Sequence, residues 1–408
     1  MVVRKKKTLS RKKTKPIKKV ASRVSKRRVV VKKKITPKKR VAVSKKRITK
    51  RAPKKRTTKR IPKVIHAKKG HPLTLIRHAQ NPIIAPSQHF WESKWVFNPS
   101  AILHDGKVHL VYRAVGGSDI SMVGYAHSSD GFTVDGRYPE PAFFHRNTPA
   151  GDRSEFKIPH SSGGGFCGGS EDPRITLIGD RVYMLFTAFD GWSSIRIALT
   201  WLELSYFLNR IWKWKKPVFI SPPNEVHKNW LLFPEKINGK HAVLHSIAPE
   251  VSVAYVDSLD EFDGTKFIKS AYKSGARRKT WDNWIRGAGP SPIKTEHGWL
   301  VLYHAMDVND PNRYKLGAML LDLNDPEKVL YRSSQPILEP DEWYENEGFK
   351  AGVIYASGAV IKDGLLFVYY GGADTVCCVA VADVKKFLAK LMTGEKSKLT
   401  RRKNKSSR

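Results

Sequence analysis

The first 70 residues contain no aspartate, no glutamate and no aromatic residue, although they hold 33 of the 75 Lys and Arg residues of the chain. With few large apolar side chains and many like charges, such a segment cannot build a core of its own. Residues 1–70 are therefore predicted to form a disordered, Lys/Arg-rich tail. Its charge favours salt-dependent binding of a polyanion, either nucleic acid or an anionic surface. The alternative is a solubilising tail with no defined partner.

Long apolar runs and paired cysteines are also scarce. No apolar segment follows the basic start, which argues against a secretory signal, and none approaches the roughly 20 residues of a membrane span. The three cysteines are Cys167, Cys377 and Cys378, a spacing that suits neither a disulfide framework nor a metal site. These absences predict a cytoplasmic protein that binds no metal.

Charge divides the chain into three parts. Residues 395–408 carry seven basic residues and one acid, and are predicted to form a second disordered tail. Residues 71–394 hold 35 basic and 35 acidic residues, so this middle part has no net charge. It is long enough for one large core, and we predict one folded domain there.

A turn with glycine, followed by an apolar strand that ends in an aromatic residue or histidine, occurs five times. The copies are Gly106–Tyr112, Gly179–Phe186, Gly239–His245, Gly298–His304 and Gly364–Tyr370. A second strand follows most copies, so each repeat is predicted to contain a hairpin within a four-stranded sheet. Five such repeats predict an all-β fold, a five-bladed β-propeller, in preference to a β-sandwich. Helical spacing in Val381–Met392 predicts a short C-terminal helix.

The segment Glu171-Asp172-Pro173-Arg174 places two acids at the predicted entrance of a strand that runs from Ile175 to Phe186. Pro173 lacks an N–H and suits the first residue of a strand. Taken alone, the segment could be a salt-bridged turn. In a propeller, the first strand of each blade lines a central funnel, and we expect the glycine-led strand to be that first strand. The strand ends would then bring together Arg113, Glu171, Asp172, His245, His304 and Asp374.

Ordered motifs along 90–390 resemble those of glycoside hydrolase family 130, which contains β-mannoside phosphorylases and some β-mannosidases. They include Asn98-Pro99-Ser100, Glu171-Asp172-Pro173-Arg174, Phe233-Pro234-Glu235-Lys236, Gly287-Ala288-Gly289-Pro290 and Tyr369-Tyr370-Gly371-Gly372-Ala373-Asp374. The resemblance implies a five-bladed propeller and inverting cleavage of a β-linked mannosyl-oligosaccharide. It implies that Asp172 is the general acid and acts through the mannose 3-hydroxyl. Inorganic phosphate, the co-substrate, would attack C1 from the opposite face and give α-mannose 1-phosphate, with no other cofactor.

Further site residues follow from the resemblance and from the predicted funnel. We assign the sugar to Asn98, Arg113, Glu171, His245 and Asp374, and phosphate to Lys228, Asn229, Arg286, His304 and Tyr314. Three of these residues have structural alternatives. Glu171 could pair with Arg174, Arg113 could form an ion pair between blades, and Asp374 could be a turn residue.

Two positions depart from the phosphorolytic members of the family. Ser246 stands where an arginine usually follows the histidine, and Ala305 stands where a glycine is common. Since arginine can hold phosphate with two parallel hydrogen bonds and serine cannot, Ser246 motivates a second hypothesis, a β-mannosidase that uses water. Its candidate bases are Glu235, Asp282 and Glu345. A third hypothesis is a non-catalytic sugar-binding propeller tethered to a polyanion by its tail.

Overall fold

The computed structural model describes residues 73–144, 169–189, 195–270 and 280–394. These residues all belong to one compact part of the chain. The predicted tails, 1–70 and 395–408, lie outside the described residues, and their disorder and polyanion binding stay predictions. In the part of the chain that the structure describes, no helix is long and apolar enough to cross a membrane.

The described residues are mostly β-structure, as predicted. The strands are β1 Ile76–Arg77, β2 Trp95–His104, β3 Lys107–Val115, β4 Ser121–Ser128, β5 Gly136–Arg137, β6 Gly169–Ile178, β7 Arg181–Phe189, β8 Ile195–Glu203, β9 Val218–Phe219, β10 Leu231–Leu232, β11 His241–Ser246, β12 Ser252–Val256, β13 Trp284–Ala288, β14 Ile293–Thr295, β15 Gly298–Asp307, β16 Asp310–Leu321, β17 Val329–Arg332, β18 Ile354–Lys362, β19 Leu365–Gly372 and β20 Val376–Asp383. The helices are α1 Leu204–Leu208, α2 Trp343–Asn346 and α3 Val384–Met392, with 3-10 turns at Phe90–Glu92 and Leu259–Glu261.

The five glycine-led strands are β3, β7, β11, β15 and β19, and each pairs with the strand that follows it as an antiparallel hairpin. Each also pairs with a preceding strand, namely β2, β6, β10, β13 or β18. Each glycine-led strand therefore lies second in a run of three paired strands, not first as predicted. The reason is that the glycine turn joins the first strand to the second, as at Gly179 between β6 and β7.

These strands form four sheets: β1-β20-β19-β18; β10-β11-β12; β13-β15-β16-β17 with β14 beside β15; and an eight-stranded sheet that contains β2 to β9. The eight-stranded sheet consists of two units joined by a single parallel pair, Ser121 with Gly169. We number the units by their strands: unit 1 is β2–β5, unit 2 is β6–β9, unit 3 is β10–β12, unit 4 is β13–β17, and unit 5 is β18–β20 with β1.

The apolar core of the described residues contains six clusters, and five of them each join two units, whereas the small sixth cluster is centred on Phe97 and Val115. The five clusters connect units 1 and 2, 2 and 3, 3 and 4, 4 and 5, and 5 and 1. Strand alternation explains how one strand serves two clusters. In β7, Met184 and Phe186 pack toward unit 1, whereas Tyr183 and Leu185 pack toward unit 3.

A buried acid and a buried tyrosine recur together with an arginine in three units. Unit 1 joins Glu92, Tyr112 and Arg137, unit 4 joins Asp282, Tyr303 and Arg332, and unit 5 joins Glu345, Tyr370 and Arg77. In each group the tyrosine hydroxyl donates to the carboxylate, which also pairs with the arginine. These groups satisfy charges that would otherwise be costly to bury.

Two sequence predictions of local structure need correction. The acid motif does not precede a strand that runs to Phe186. It lies inside β6, which ends at Ile178 and turns into β7. The C-terminal helix begins at Val384 rather than Val381, because Val381 and Ala382 still pair with β19. The side chain of Asp383 caps the helix by accepting from the backbone N–H of Lys386.

Candidate active site

A cavity of about 460 Å³ is lined by residues of all five units. This volume lies within the range of about 300–1,000 Å³ that is typical of small-molecule sites. Its polar lining consists of Asn98, Arg113, Glu171, Asp172, Lys228, Asn229, His245, Ser246, Arg286, Tyr314, Lys350, Tyr355 and Asp374. Ten of the eleven predicted site residues, with the general acid Asp172 included, are in this set, and the exception is His304.

Irregular strand pairing in β2 and β6 places two of these side chains, Asn98 and Asp172, in the cavity lining. The pairing of β2 skips from Phe97 to Ser100, and that of β6 skips from Glu171 to Arg174. Asn98 and Asp172 occupy the skipped positions with φ of 51° and 49°, in the left-handed region that Asn and Asp tolerate better than most residues. Each is followed by a proline, which has no N–H to lose from the ladder.

Asp172 is buried and held by two donors. Its Oδ1 accepts from Asn98 Nδ2 at 2.8 Å and from Arg113 Nη1 at 3.1 Å. Burial alone would raise the pKa of this carboxyl, but Arg113 and Lys228 hold it well below its usual range. These two cations therefore favour the carboxylate form of Asp172.

Glu171 pairs with Arg113 and not with Arg174. Arg113 Nη2 lies 2.7 Å from Glu171 Oε1, and Lys228 Nζ lies 3.6 Å from Glu171 Oε2. Arg113 is thus an ion-pair partner between units 1 and 2 and lines the cavity at the same time. Arg113 therefore matches both sequence interpretations, because it borders the cavity and also forms an ion pair between two units.

Arg286 lines the cavity beside Tyr314 and Asn229. Arg286 Nε donates to Tyr314 Oη at 2.7 Å, and Asn229 Nδ2 donates to the carbonyl of Arg286 at 3.0 Å. Among the described residues, no carboxylate lies within ion-pair distance of Arg286. A guanidinium with this surrounding is suited to an anionic ligand.

Sequence reasoning missed Lys350 and Tyr355. Lys350 Nζ lies 2.9 Å from Asp374 Oδ2, and Asp374 itself has φ of 51° in the turn between β19 and β20. Asp374 is therefore both a turn residue and a cavity carboxylate. The place of Lys350 shortly before β18, like that of Lys228 before β10, is the signal that could have found it. Tyr355 has apolar neighbours in sequence and looks like a core residue.

His245 and Ser246 line the cavity, whereas His304 does not. His245 lines the cavity, its Nδ1 lies 3.0 Å from Ser270 Oγ, and burial lowers its pKa to about 4. Ser246 also lines the cavity, and its Oγ donates to the carbonyl of Ala248 at 3.0 Å. The placement of His304 differs from the prediction, because it lies behind Tyr355 with ring centroids 4.2 Å apart and its Nε2 accepts from the N–H of Ala356. Its buried ring supports the site and does not reach the cavity.

None of the three candidate bases lines the cavity. Glu235 pairs with Lys294 at the surface, Asp282 with Arg332, and Glu345 with Arg77. The carboxylates that do line it, Glu171, Asp172 and Asp374, each face a cation. The described residues contain no group of three or more His, Cys, Asp or Glu that could hold a metal ion.

Comparison with known proteins defines the class. The Glyco_hydro_130 family, described as beta-1,4-mannooligosaccharide phosphorylase, matches residues 45–393. A 1,2-β-oligomannan phosphorylase of Thermoanaerobacter sp. (strain X514) is 37% identical over 323 residues, 77% of this chain and 98% of the relative. A β-1,2-mannobiose phosphorylase of the same strain is 36% identical over 328 residues, 76% of this chain and 98% of the relative.

A solved structure gives the same result. The β-1,2-mannobiose phosphorylase of Listeria innocua, in complex with β-1,2-mannobiose, superposes with a TM-score of 0.59 at 26% identity, over 78% of this chain and 99% of the other. The chain belongs to glycoside hydrolase family 130. The prediction of a glycoside phosphorylase that acts on β-mannosides is confirmed at this level. A hydrolase and a non-catalytic binding protein are not favoured.

Proposed function

We propose that this enzyme phosphorolyses a β-1,2-linked mannooligosaccharide, with Asp172 as general acid. The linkage is taken from the relatives, three of which are named for β-1,2-linked substrates. The observation that supports phosphate over water best is the absence of an unpaired carboxylate among the described residues that line the cavity. Inverting hydrolysis needs a second carboxylate to activate water, whereas a phosphate nucleophile needs cations around it.

In the proposed reaction, a phosphate oxygen attacks C1 of the terminal mannose from the α face. The C1–O bond to the leaving sugar breaks, and a proton from Asp172 passes through the mannose 3-hydroxyl to the leaving oxygen. The products are α-mannose 1-phosphate and an oligosaccharide one mannose shorter. Asn98, Arg113, Glu171, His245 and Asp374 are proposed to bind the sugar, and Lys228, Asn229, Arg286 and Tyr314 to bind phosphate.

The low pKa of Asp172 has a place in this scheme. A general acid must carry its proton when the leaving oxygen departs. The cations Arg113 and Lys228 oppose the protonation of Asp172. Phosphate brought beside Lys228 and Arg286 adds negative charge that offsets those cations. Binding of the nucleophile therefore favours the protonated form of the acid.

We also propose that the five units form a five-bladed propeller around the cavity. Two observations support this arrangement: five core clusters join the units in a closed order, from 1 to 5 and back to 1, and the cavity is lined by residues of every unit. The cytoplasmic location remains a prediction from the sequence.

The experiment is to incubate the full chain with β-1,2-mannobiose and with β-1,4-mannobiose, each with and without inorganic phosphate. We expect α-mannose 1-phosphate and mannose in equal amounts from the β-1,2 substrate, and no turnover without phosphate. Release of mannose at the same rate without phosphate would contradict phosphorolysis. A preference for the β-1,4 substrate would contradict the linkage alone.

A further inference from the structure

Arg174 lies buried beneath the cavity and connects four of the five units. Its Nη1 donates to the carbonyl of Asp172 at 2.9 Å in unit 2, and its Nε donates to the carbonyl of Gly289 at 3.0 Å in unit 4. Its Nη2 donates to Asn229 Oδ1 at 2.9 Å, beside unit 3, and to Tyr355 Oη at 3.0 Å in unit 5. One planar side chain thus fixes the backbone of the acid and the side chain of a proposed phosphate ligand.

The partners of Arg174 are themselves held in place. Asn229 accepts from Tyr355 Oη as well and donates to the carbonyl of Arg286. Gly287 allows this approach, because a Cβ there would lie 2.4 Å from Asn229 Nδ2 and its φ is +137°. Tyr355 stacks on the buried ring of His304 at an interplanar angle of 10°. The hydrogen bonds of Arg174 therefore end on packed groups that are themselves held in place.

We propose that Arg174 is a positioning residue that sets the separation between Asp172 and the phosphate-binding pair Asn229 and Arg286. This inference rests on the proposed function. Inversion requires the acid and the nucleophile to act on opposite faces of one sugar, so their separation must match the substrate. Arg174 does not line the cavity and is only 2% exposed, so it acts through these residues and not on the ligand.

The test compares Arg174→Lys with the wild type in steady-state kinetics on mannobiose and phosphate. Lysine keeps the positive charge but cannot make all four hydrogen bonds. Because misplacement of about 1 Å can cost about 10²-fold in rate, we expect kcat to fall about 10- to 100-fold while both KM values change less than about threefold. Tyr355→Phe, which keeps the ring stack and removes one partner of Arg174, should give a smaller fall in kcat.

Arg332→Lys is the matched control. Arg332 is as buried as Arg174 and bonds Tyr303 and Asp282, but neither it nor these partners line the cavity. We expect Arg332→Lys to lower Tm and to leave kcat per folded molecule unchanged. Should Arg174→Lys behave like Arg332→Lys, or raise KM for phosphate at constant kcat, the proposal is overturned.

Failure of this inference can be distinguished from failure of the proposed function. A wild-type enzyme without phosphate-dependent turnover removes the proposed function, and the Arg174 inference with it. A wild-type enzyme that phosphorolyses mannobiose, with unchanged kcat in both Arg174→Lys and Tyr355→Phe, removes only the inference.

Discussion

Arg113 and Asp172 form a buried ion pair across units 1 and 2, with Nη1 3.1 Å from Oδ1. The other guanidinium nitrogens of Arg113 bond Glu171 at 2.7 Å and Ser121 at 3.0 Å, so one side chain orients both acids of the motif. This pair explains why the acids can be buried at all, because a buried carboxylate without a counter-charge is strongly destabilising.

Replacement of this arginine should therefore destabilise the fold in a pH-dependent way. Arg113→Met leaves Asp172 without its main counter-charge, and we expect a loss of about 3–5 kcal/mol in the free energy of unfolding at pH 7. Without the guanidinium, burial moves the pKa of Asp172 upward, so protonation relieves the loss as the pH falls. Urea unfolding at pH 7 and pH 5, with the wild type beside it, should show the smaller loss at pH 5. An equal loss at both values would contradict the account.

Ser246 offers a test of phosphate binding by gain of an interaction. Its hydroxyl donates to the backbone carbonyl of Ala248 in the same turn, and serine brings no positive charge to the cavity lining at this position. Ser246→Arg should add a charge-assisted contact worth about 1.5–3 kcal/mol, which corresponds to a KM for phosphate about 10- to 100-fold lower. The control is Ser246→Ala, which should leave this KM within about twofold. Phosphate titrations that give equal KM values for the arginine variant and the wild type would argue against a phosphate site beside Ser246.

The recurrent acid–tyrosine–arginine groups should contribute to stability and not to turnover. Tyr303→Phe removes a hydroxyl that donates to Asp282 at 2.8 Å and accepts from Arg332 at 2.9 Å. The expected cost is about 1–3 kcal/mol, because the partners lose a buried hydrogen-bond partner. Thermal and urea unfolding measure this cost, and kcat per folded molecule should not change. A fall in kcat at unchanged stability would mean that the group affects the cavity.

The sequence predicted the repeat hairpins and most of the cavity because both depend on local signals. A glycine turn followed by an apolar strand is visible in the chain, and so is an acid pair beside Pro173. It could not show that Asp172 lies within β6, because the skipped pairing depends on the partner strand β7. Nor could it show that Glu171 pairs with Arg113, 58 residues away, rather than with Arg174, three residues away.

His304 and Lys350 are two further cases that the sequence could not predict. His304 was predicted for the site but does not line the cavity, whereas Lys350 lines the cavity but was not predicted. The sequence assigns His304 to phosphate, but the stack on Tyr355 places the ring behind the cavity wall. Lys350 belongs to no sequence motif, and its place in the cavity lining beside Asp374 is visible only in the structure. Both outcomes depend on contacts between units, which a single strand pattern does not encode.

The proposed function depends most on Asp172 as the donor of the proton to the leaving oxygen. The most direct measurement is kcat of Asp172→Asn on β-1,2-mannobiose with phosphate, compared with kcat on β-mannosyl fluoride, whose leaving group needs no proton. We expect kcat to fall about 10²–10⁴-fold on mannobiose and much less on the fluoride. Near-normal turnover of mannobiose, or an equal fall on both substrates, would contradict the assignment of Asp172 as the acid.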